Sequence, residues 1–522
     1  MQELIDKTWD AIVIGSGVGG GTIGRALSEA GLSVLFLEKG RTGIPTEQQG
    51  LSYDLADPVA REVRGYWPKP FRGMANGKQL EFFGPLGSGV GGSSSFYAAA
   101  FEQPERHDLE EVHSLPHPTG GWPVSYDEFA PYFDKARDFY CVKGYQDPDL
   151  DTDAYPNPLP EETEVERHLL SALRGVGLNP YRSPMALKHA DRCKGCFGSK
   201  CPYDCKQDGR SAGVEPALNT GRAALLDSCE VTRIVGGANT VTKVEARRHG
   251  ETLHFKAHRY ILSAGALRSP HLLLKSTSEA WPNGCANEHD MVGRNLMFHL
   301  NEIFAIWLPQ RTNQTTKSIS LKDYYSVDST HYGLVQALGY TASYGDIVHY
   351  LNQLFDRSFL RSARPLRHLT RIPAALLIKI LGRAQVFVGL LEDFPDPENR
   401  VLLASEKDVI RFQYNFSKEL LTRRKEFRRK ISKGMRSLRP LFLNLQPELN
   451  FGHSNGTLCF GHDPTKSVLN KNCQAHQIKN LYVVDASFMP TSTGVNPSLL
   501  IASNALRVAD SILEDFDKVI HE

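Results

Sequence analysis

Cysteine is scarce in this chain, with nine among 522 residues. That density rules out a small disulfide-built scaffold, and the odd number leaves at least one thiol unpaired. An excess of either charge is missing too. Sixty Lys and Arg against 59 Asp and Glu leave a formal net charge of +1, so neither a nucleic-acid footprint nor a strongly acidic partner is expected. Small molecules are the expected partners. No long hydrophobic run is present: the most apolar segment, "IPAALLIKIL", is broken by Pro373 and Lys379, well short of the roughly 20 apolar residues a membrane span needs. The opening "MQELIDKTWDAIVIGSG" has no charged stretch followed by a long apolar core, which sets the expectation of a mature, unexported, cytoplasmic protein. No internal repeat is evident, and no Gly/Ser or Pro linker divides the chain. The length exceeds what one ordinary core fills, so one large interleaved enzyme or two to three domains are expected.

What is present begins with "DAIVIGSGVGGGTIGRALSEAGLSVLFLEKG". A buried-strand run, Ala11 to Ile14, turns through Gly15, Gly17 and Gly20 into an amphipathic helix ending near Ala30; a second strand, Val34 to Leu37, then ends on Glu38. Glycines of this spacing permit the tight turn, let backbone approach a pyrophosphate and bring helix against sheet, while the helix N-terminus offers free N–H groups. Glu38 is placed to hold a ribose hydroxyl pair, which disfavours a ribose bearing a 2′-phosphate. FAD and NAD remain.

A second small-residue loop, "GPLGSGVGGSSSFYAAAF" (84–101), is followed by "GWPVSYDEFAPYF", "HRYILSAGALRSPHLLLKS", "MVGRNLMFH" and "KNLYVVDASFMPTSTGVNPSLLIASNALRVADSIL". In combination and order these resemble the glucose–methanol–choline (GMC) flavoprotein oxidoreductases, from Trp9 to about Leu513. The resemblance implies an α/β fold: a Rossmann-like FAD-binding domain interleaved with a substrate domain on a second, mainly antiparallel sheet with helices. Flavin-domain pieces are expected at 1–105, 205–300 and 460–522, the last with the catalytic loop. Substrate pieces are expected at 106–204, with a Cys-rich loop, and at 301–459. By the same resemblance Gly15, Gly17, Gly20 and Glu38 meet the ADP half of FAD. Gly91, Gly92, Ser93 and Ser94 lie beside its isoalloxazine and ribityl chain, Val231 meets the adenine, and Asp485, Asn496 and Pro497 also contact the cofactor. Where one branch of the family attaches flavin covalently through a histidine, this chain has Phe96 beside Tyr97, which implies non-covalent FAD.

Within "GHSNGTLCFGH" (452–462), the family pattern H-x-x-G-T falls on His453, Gly456 and Thr457, and its histidine faces the flavin. An imidazole near neutrality suits removal of a hydroxyl proton as hydride leaves carbon. Asn496 matches the partner position that orients the substrate oxygen. His462 lies past the pattern and is expected to be structural or exposed; Phe460 stands where the family usually has methionine. The implied activity is oxidation of an alcohol, including sugar- or sterol-type alcohols, to a carbonyl, with reoxidation by oxygen or another electron acceptor. A non-redox lyase and an electron-relay dehydrogenase subunit are the alternatives.

The run "CKGCFGSKCPYDCK" places Cys193, Cys196, Cys201 and Cys205 together. Four thiols so close admit disulfides, free thiols, an iron–sulfur cluster or zinc, the cluster being a feature of some GMC dehydrogenase subunits. Finally, Arg357 to Arg383 carries seven Arg and Lys and no acid. Arg357, Arg361, Arg364, His368 and Arg371 recur at helical intervals beside an apolar run, although Pro365 interrupts the pattern. This stripe fits a peripheral seat on an anionic membrane, a subunit contact or a solvated face.

Overall fold

The computed structural model describes residues 1–43, 58–144, 161–189, 193, 196, 198–203, 205–310, 314–339, 347–348, 351–352, 355, 363–403 and 409–521. Two seven-stranded sheets carry the architecture. In the first, the strand Thr8–Ile14 lies between Val34–Leu37 and the long strand Glu251–Leu262, all parallel. Ala223–Leu226 extends the edge beside Val34–Leu37. The strand Glu251–Leu262 splits its second edge. Its first half pairs antiparallel with Val241–Arg248, and its last residues pair parallel with Leu481–Val483. Ala11 to Leu37 supplies near-continuous apolar strands because helices cover the parallel sheet. The helix Val18–Glu29 follows the first strand, and the C-terminal helix Ser498–His521 packs against it.

The second sheet is antiparallel. Leu300–Ile306 pairs with Gln385–Leu391, which pairs with Val335–Ala337, then Ile319–Leu321 and Tyr181–Arg182. Its registers, Asn301 opposite Leu390 and Ile303 opposite Val388, with Val388 also opposite Gln336, put those five residues on one face. The other face presents Leu300, Glu302, Phe304, Phe387 and Leu391, and the helix Lys418–Gly434 covers it with Phe427 and Ile431. Gly389 exists for that contact, since a Cβ there would lie 2.6 Å from the Phe427 ring.

A four-stranded sheet joins Phe71–Ala75 and Lys78–Phe82 to Ile410–Tyr414 and Arg400–Leu402. Residues far apart in the chain thus share one sheet. In the basic segment, Arg357 and Arg361 lie outside the described residues. Arg364–Thr370 forms a 3-10 helix and Arg371–Leu381 an α-helix. The two prolines stand near the starts of these two pieces, where a missing N–H costs little.

Candidate active site

A cavity of ≈ 530 Å³ runs from the glycine turn of the first sheet to the Asn301–Gln336 face of the second. At its nucleotide end Gly15 adopts φ +95°, and a Cβ there would sit 2.5 Å from the Ser263 carbonyl oxygen. No atom lies within 4 Å of a Cβ built on Gly17, so backbone at the start of the helix Val18–Glu29 faces open space. That is the surface a pyrophosphate needs. The two glycine loops meet here, a Cβ on Gly92 falling 3.0 Å from Gly17 Cα.

Glu38 also lines the cavity. Its Oε2 accepts from the Ser16 N–H (3.1 Å) and hydroxyl (2.7 Å), and its Oε1 accepts from the Gly40 N–H (2.9 Å). Burial pushes its carboxyl pKa up, against those hydrogen bonds. A carboxylate offers about four lone-pair sites, so room for a ribose hydroxyl remains. Val231, Asp485, Pro497, Ser93 and Ser94 line the cavity as well. Asp485 accepts from the Gly265 N–H (2.9 Å), the Ser269 hydroxyl and the Ser487 N–H (3.0 Å). Two sequence-based placements need correction. Gly20 and Gly91 do not line the cavity. Gly20 instead packs under the turn, where a Cβ would come 2.1 Å from the Gly15 carbonyl oxygen, and Gly91, at φ +97°, points its N–H 3.3 Å from Ser16 Oγ.

At the other end stands a histidine pair. His453 Nδ1 lies 2.9 Å from His299 Nδ1, and His299 Nε2 lies 2.9 Å from the Thr493 carbonyl oxygen. A carbonyl only accepts, so His299 carries its proton on Nε2. Burial holds its pKa down at about 4, so the ring is neutral and its Nδ1 accepts. His453 must then donate from Nδ1, which leaves its Nε2 lone pair free. Asn450 Nδ2, at 3.3 Å from His453 Nδ1, is the longer contact. Burial, then the neighbouring imidazole, holds the His453 pKa well below the usual histidine range. Asn496 lines the same end with a buried Oδ1 that has no hydrogen-bond partner. Ser263 Oγ, also on the cavity wall, is likewise buried without a partner. Orphaned polar atoms along one elongated cavity, with bare backbone at a helix start, fit a bound dinucleotide such as FAD.

Sequence reasoning missed His299. It ends the "MVGRNLMFH" motif but lies 154 positions from its partner, and no local spacing links them. His462 is exposed. Phe460 packs edge-on against Trp122 and Phe488, away from the cavity wall.

Cys196, Cys201 and Cys205 carry free thiols. Cys201 Sγ lies 3.2 Å from Cys205 Sγ, and the hydrogen bond from Cys196 lowers the Cys201 pKa. Thiolates about one tetrahedral zinc stand about 3.8 Å apart, from a 2.3 Å bond length, so the pair does not match a zinc site. Among the described residues no three His, Cys, Asp or Glu side chains gather as a metal site. The loop is fastened into the cavity wall, which Tyr66, Phe96 and Gly198 all line: the Gly198 N–H donates to the Phe96 carbonyl (2.8 Å), and the Tyr66 hydroxyl donates to the Gly198 carbonyl (2.7 Å).

Two family profiles described as GMC oxidoreductase match residues 9–301 and 395–505. Curated relatives include 6'''-hydroxyparomomycin C oxidase of Streptomyces lividus, 26% identical over 97% of this chain and 92% of its own length. Another is 2-methyl-1,2-propanediol dehydrogenase of Mycolicibacterium austroafricanum, 26% identical over 100% and 98%. Among solved structures, pyridoxine 4-oxidase from Mesorbium loti superposes with a TM-score of 0.63 at 18% identity, covering 97% of this chain and 99% of that one.

Proposed function

This chain belongs to the GMC oxidoreductase family and oxidises a CH–OH group, and we propose that His453 is its base. The observation that carries this assignment is the tautomer fixed by the Thr493 carbonyl through His299, which leaves a lone pair on His453 Nε2. His453 Nε2 takes the substrate hydroxyl proton. Asn496 donates an amide N–H to the same oxygen and holds the carbinol carbon in place. FAD, when bound, supplies the acceptor for the hydride leaving that carbon, and its electrons pass on to oxygen or another acceptor. Gly17, Glu38, Val231 and Asp485 would hold it. Phe96, stacked on Tyr66 at 3.9 Å, offers no nucleophile for a covalent link, which supports non-covalent binding. In His453→Ala, flavin retention is expected to persist while anaerobic alcohol bleaches flavin absorbance about 10²–10⁴-fold more slowly. Unchanged bleaching would remove His453 from the mechanism.

For its location we propose the cytoplasm, with peripheral contact to an anionic membrane. No described helix is long and apolar enough to cross one. Leu366, Leu369, Ile372 and Leu376 are exposed at helical intervals, and exposed His368, Arg371 and Lys379 accompany them. No acid occurs between Arg357 and Leu391. Each cation near an anionic surface contributes about 1 kcal/mol. Co-sedimentation with anionic but not neutral vesicles, lost in Ile372→Glu/Leu376→Glu, is expected; equal recovery in the supernatant with both would overturn the contact.

A further inference from the structure

The roof of the cavity carries chemistry that proton removal does not use. It is the face of the antiparallel sheet that holds Asn301, Ile303, Gln336, Leu338, Val388 and Leu390. Four of the six are aliphatic. The two carboxamides are the exceptions, and among the described residues no side chain engages either. Asn301 Oδ1 is buried with no partner. The Gln336 amide, on a residue 7% exposed, makes no hydrogen bond with another described side chain. A carboxamide set unpartnered into an apolar wall is a readout group, because it is satisfied only when a ligand brings a matching polar atom.

Position narrows the ligand. Asn301 comes two residues after His299 in a chain that continues as strand, so it projects on the same side about 7 Å further along. A molecule whose reacting hydroxyl sits at His453 therefore presents its next few atoms to Asn301 and Gln336. Charge narrows it further. The acids lining the cavity are Glu38, Glu230 and Asp485. Glu38 is tied to the glycine turn, Glu230 pairs with Lys39 at 2.8 Å, and Asp485 binds Gly265 and Ser269. All three belong to the nucleotide end. Among the described residues the roof offers no carboxylate to receive an ammonium group, and the charged side chain beside it is Lys317.

We propose that Asn301 and Gln336 read a second, neutral hydroxyl, so that the substrate is a diol or polyol rather than a simple alkanol or an amino alcohol. This rests on the CH–OH reading above. The carbon skeleton lies against Ile303, Leu338, Val388 and Leu390; the distal hydroxyl donates its one proton to Asn301 Oδ1 and accepts from the Gln336 amide N–H. The reaction stays balanced: one C–H and one O–H bond break, C=O forms, His453 takes the proton, and FAD, when bound, would supply the hydride acceptor.

The test uses the FAD-loaded enzyme and a matched panel: 1-butanol, 1,2-butanediol, 2-amino-1-butanol and a hexitol. Anaerobic flavin reduction and steady-state kcat/KM are measured. A site built to hydrogen-bond a hydroxyl rejects an analogue lacking it strongly, so at least one of the two polyols is expected to exceed 1-butanol by about 100-fold or more. The amino alcohol should fall with 1-butanol. In Asn301→Leu and Gln336→Leu, the preference should shrink about tenfold each through a higher polyol KM, with flavin retention unchanged. Comparable rates for 1-butanol and both polyols, or a preference insensitive to both variants, would overturn this inference and leave the CH–OH reading standing. Flavin left oxidised by every alcohol would overturn both.

Discussion

His453 and His299 form a relay in which one imidazole fixes the tautomer of the other. Both pKa values are lowered, His299 to about 4 and His453 well below its ordinary value, with burial the larger cause in each. An unfolded histidine takes its proton near pH 6.5. Below that pH the unfolded chain binds more protons than the folded one, so stability falls as pH drops and is unaffected by this pair above it. The acid limb of kcat/KM follows the same groups. Because the His299 ring itself lowers the His453 pKa, His299→Leu is expected to move that limb to higher pH and lower kcat. His299→Gln, whose amide oxygen can accept from His453 Nδ1, should restore part of kcat. A pH profile that stays in place in His299→Leu would confine His299 to packing. Reading the sequence located His453 and Asn496 through their local motifs. It did not reach the partner imidazole, since only the fold brings "MVGRNLMFH" beside "GHSNGT".

The strand Leu300–Ile306 shows how one element serves two tasks through its two-residue period. Asn301 and Ile303 face the cavity; Glu302, fully buried, faces the helix Lys418–Gly434 and pairs with Arg424 and Arg428. Removing one partner of a buried pair leaves charge uncompensated. Glu302→Leu is expected to cost about 3 kcal/mol, the low end of that range because Arg428 keeps contact with water. Chemical denaturation measures the loss, and KM should hardly change because the side chain points away from the cavity. A raised KM would mean that the two faces are mechanically coupled. That a second, mainly antiparallel sheet exists was legible through the family resemblance. The pairing of Phe71–Ala75 with Ile410–Tyr414 was not, because short strands hundreds of residues apart leave no local trace of their partners.

For the molecule as a whole, the nucleotide turn was readable because glycine spacing, acid and strand runs are local, whereas the interleaved fold was implied only by the resemblance to the GMC family. Residues from several separate stretches line one cavity, among them Gly17, Val231, Asp485 and Asn496. A cofactor there ties these stretches together and binds only the folded chain. Flavin at 100 times its dissociation constant should add about 2.7 kcal/mol. Glu38→Ala, which removes the acceptor for Ser16 and Gly40, should lower the melting temperature of the FAD-loaded protein and weaken retention without changing alcohol preference. Normal retention would reduce Glu38 to a brace of the turn.

The split edge of the strand Glu251–Leu262 also sets an order of events during synthesis. The glycine turn emerges from the ribosome first, but the strand pairing with the end of Glu251–Leu262, Leu481–Val483, is made more than four hundred residues later. His453 and Asn496 are likewise late, and the helix that covers Val18–Glu29 comes last. A nascent chain therefore exposes a nucleotide turn and unpaired apolar strands long before either can be satisfied, the condition in which collapsed intermediates gather and chaperones are recruited. A cavity lined by Gly17 and Ser498 alike cannot close until both of these distant stretches have been made.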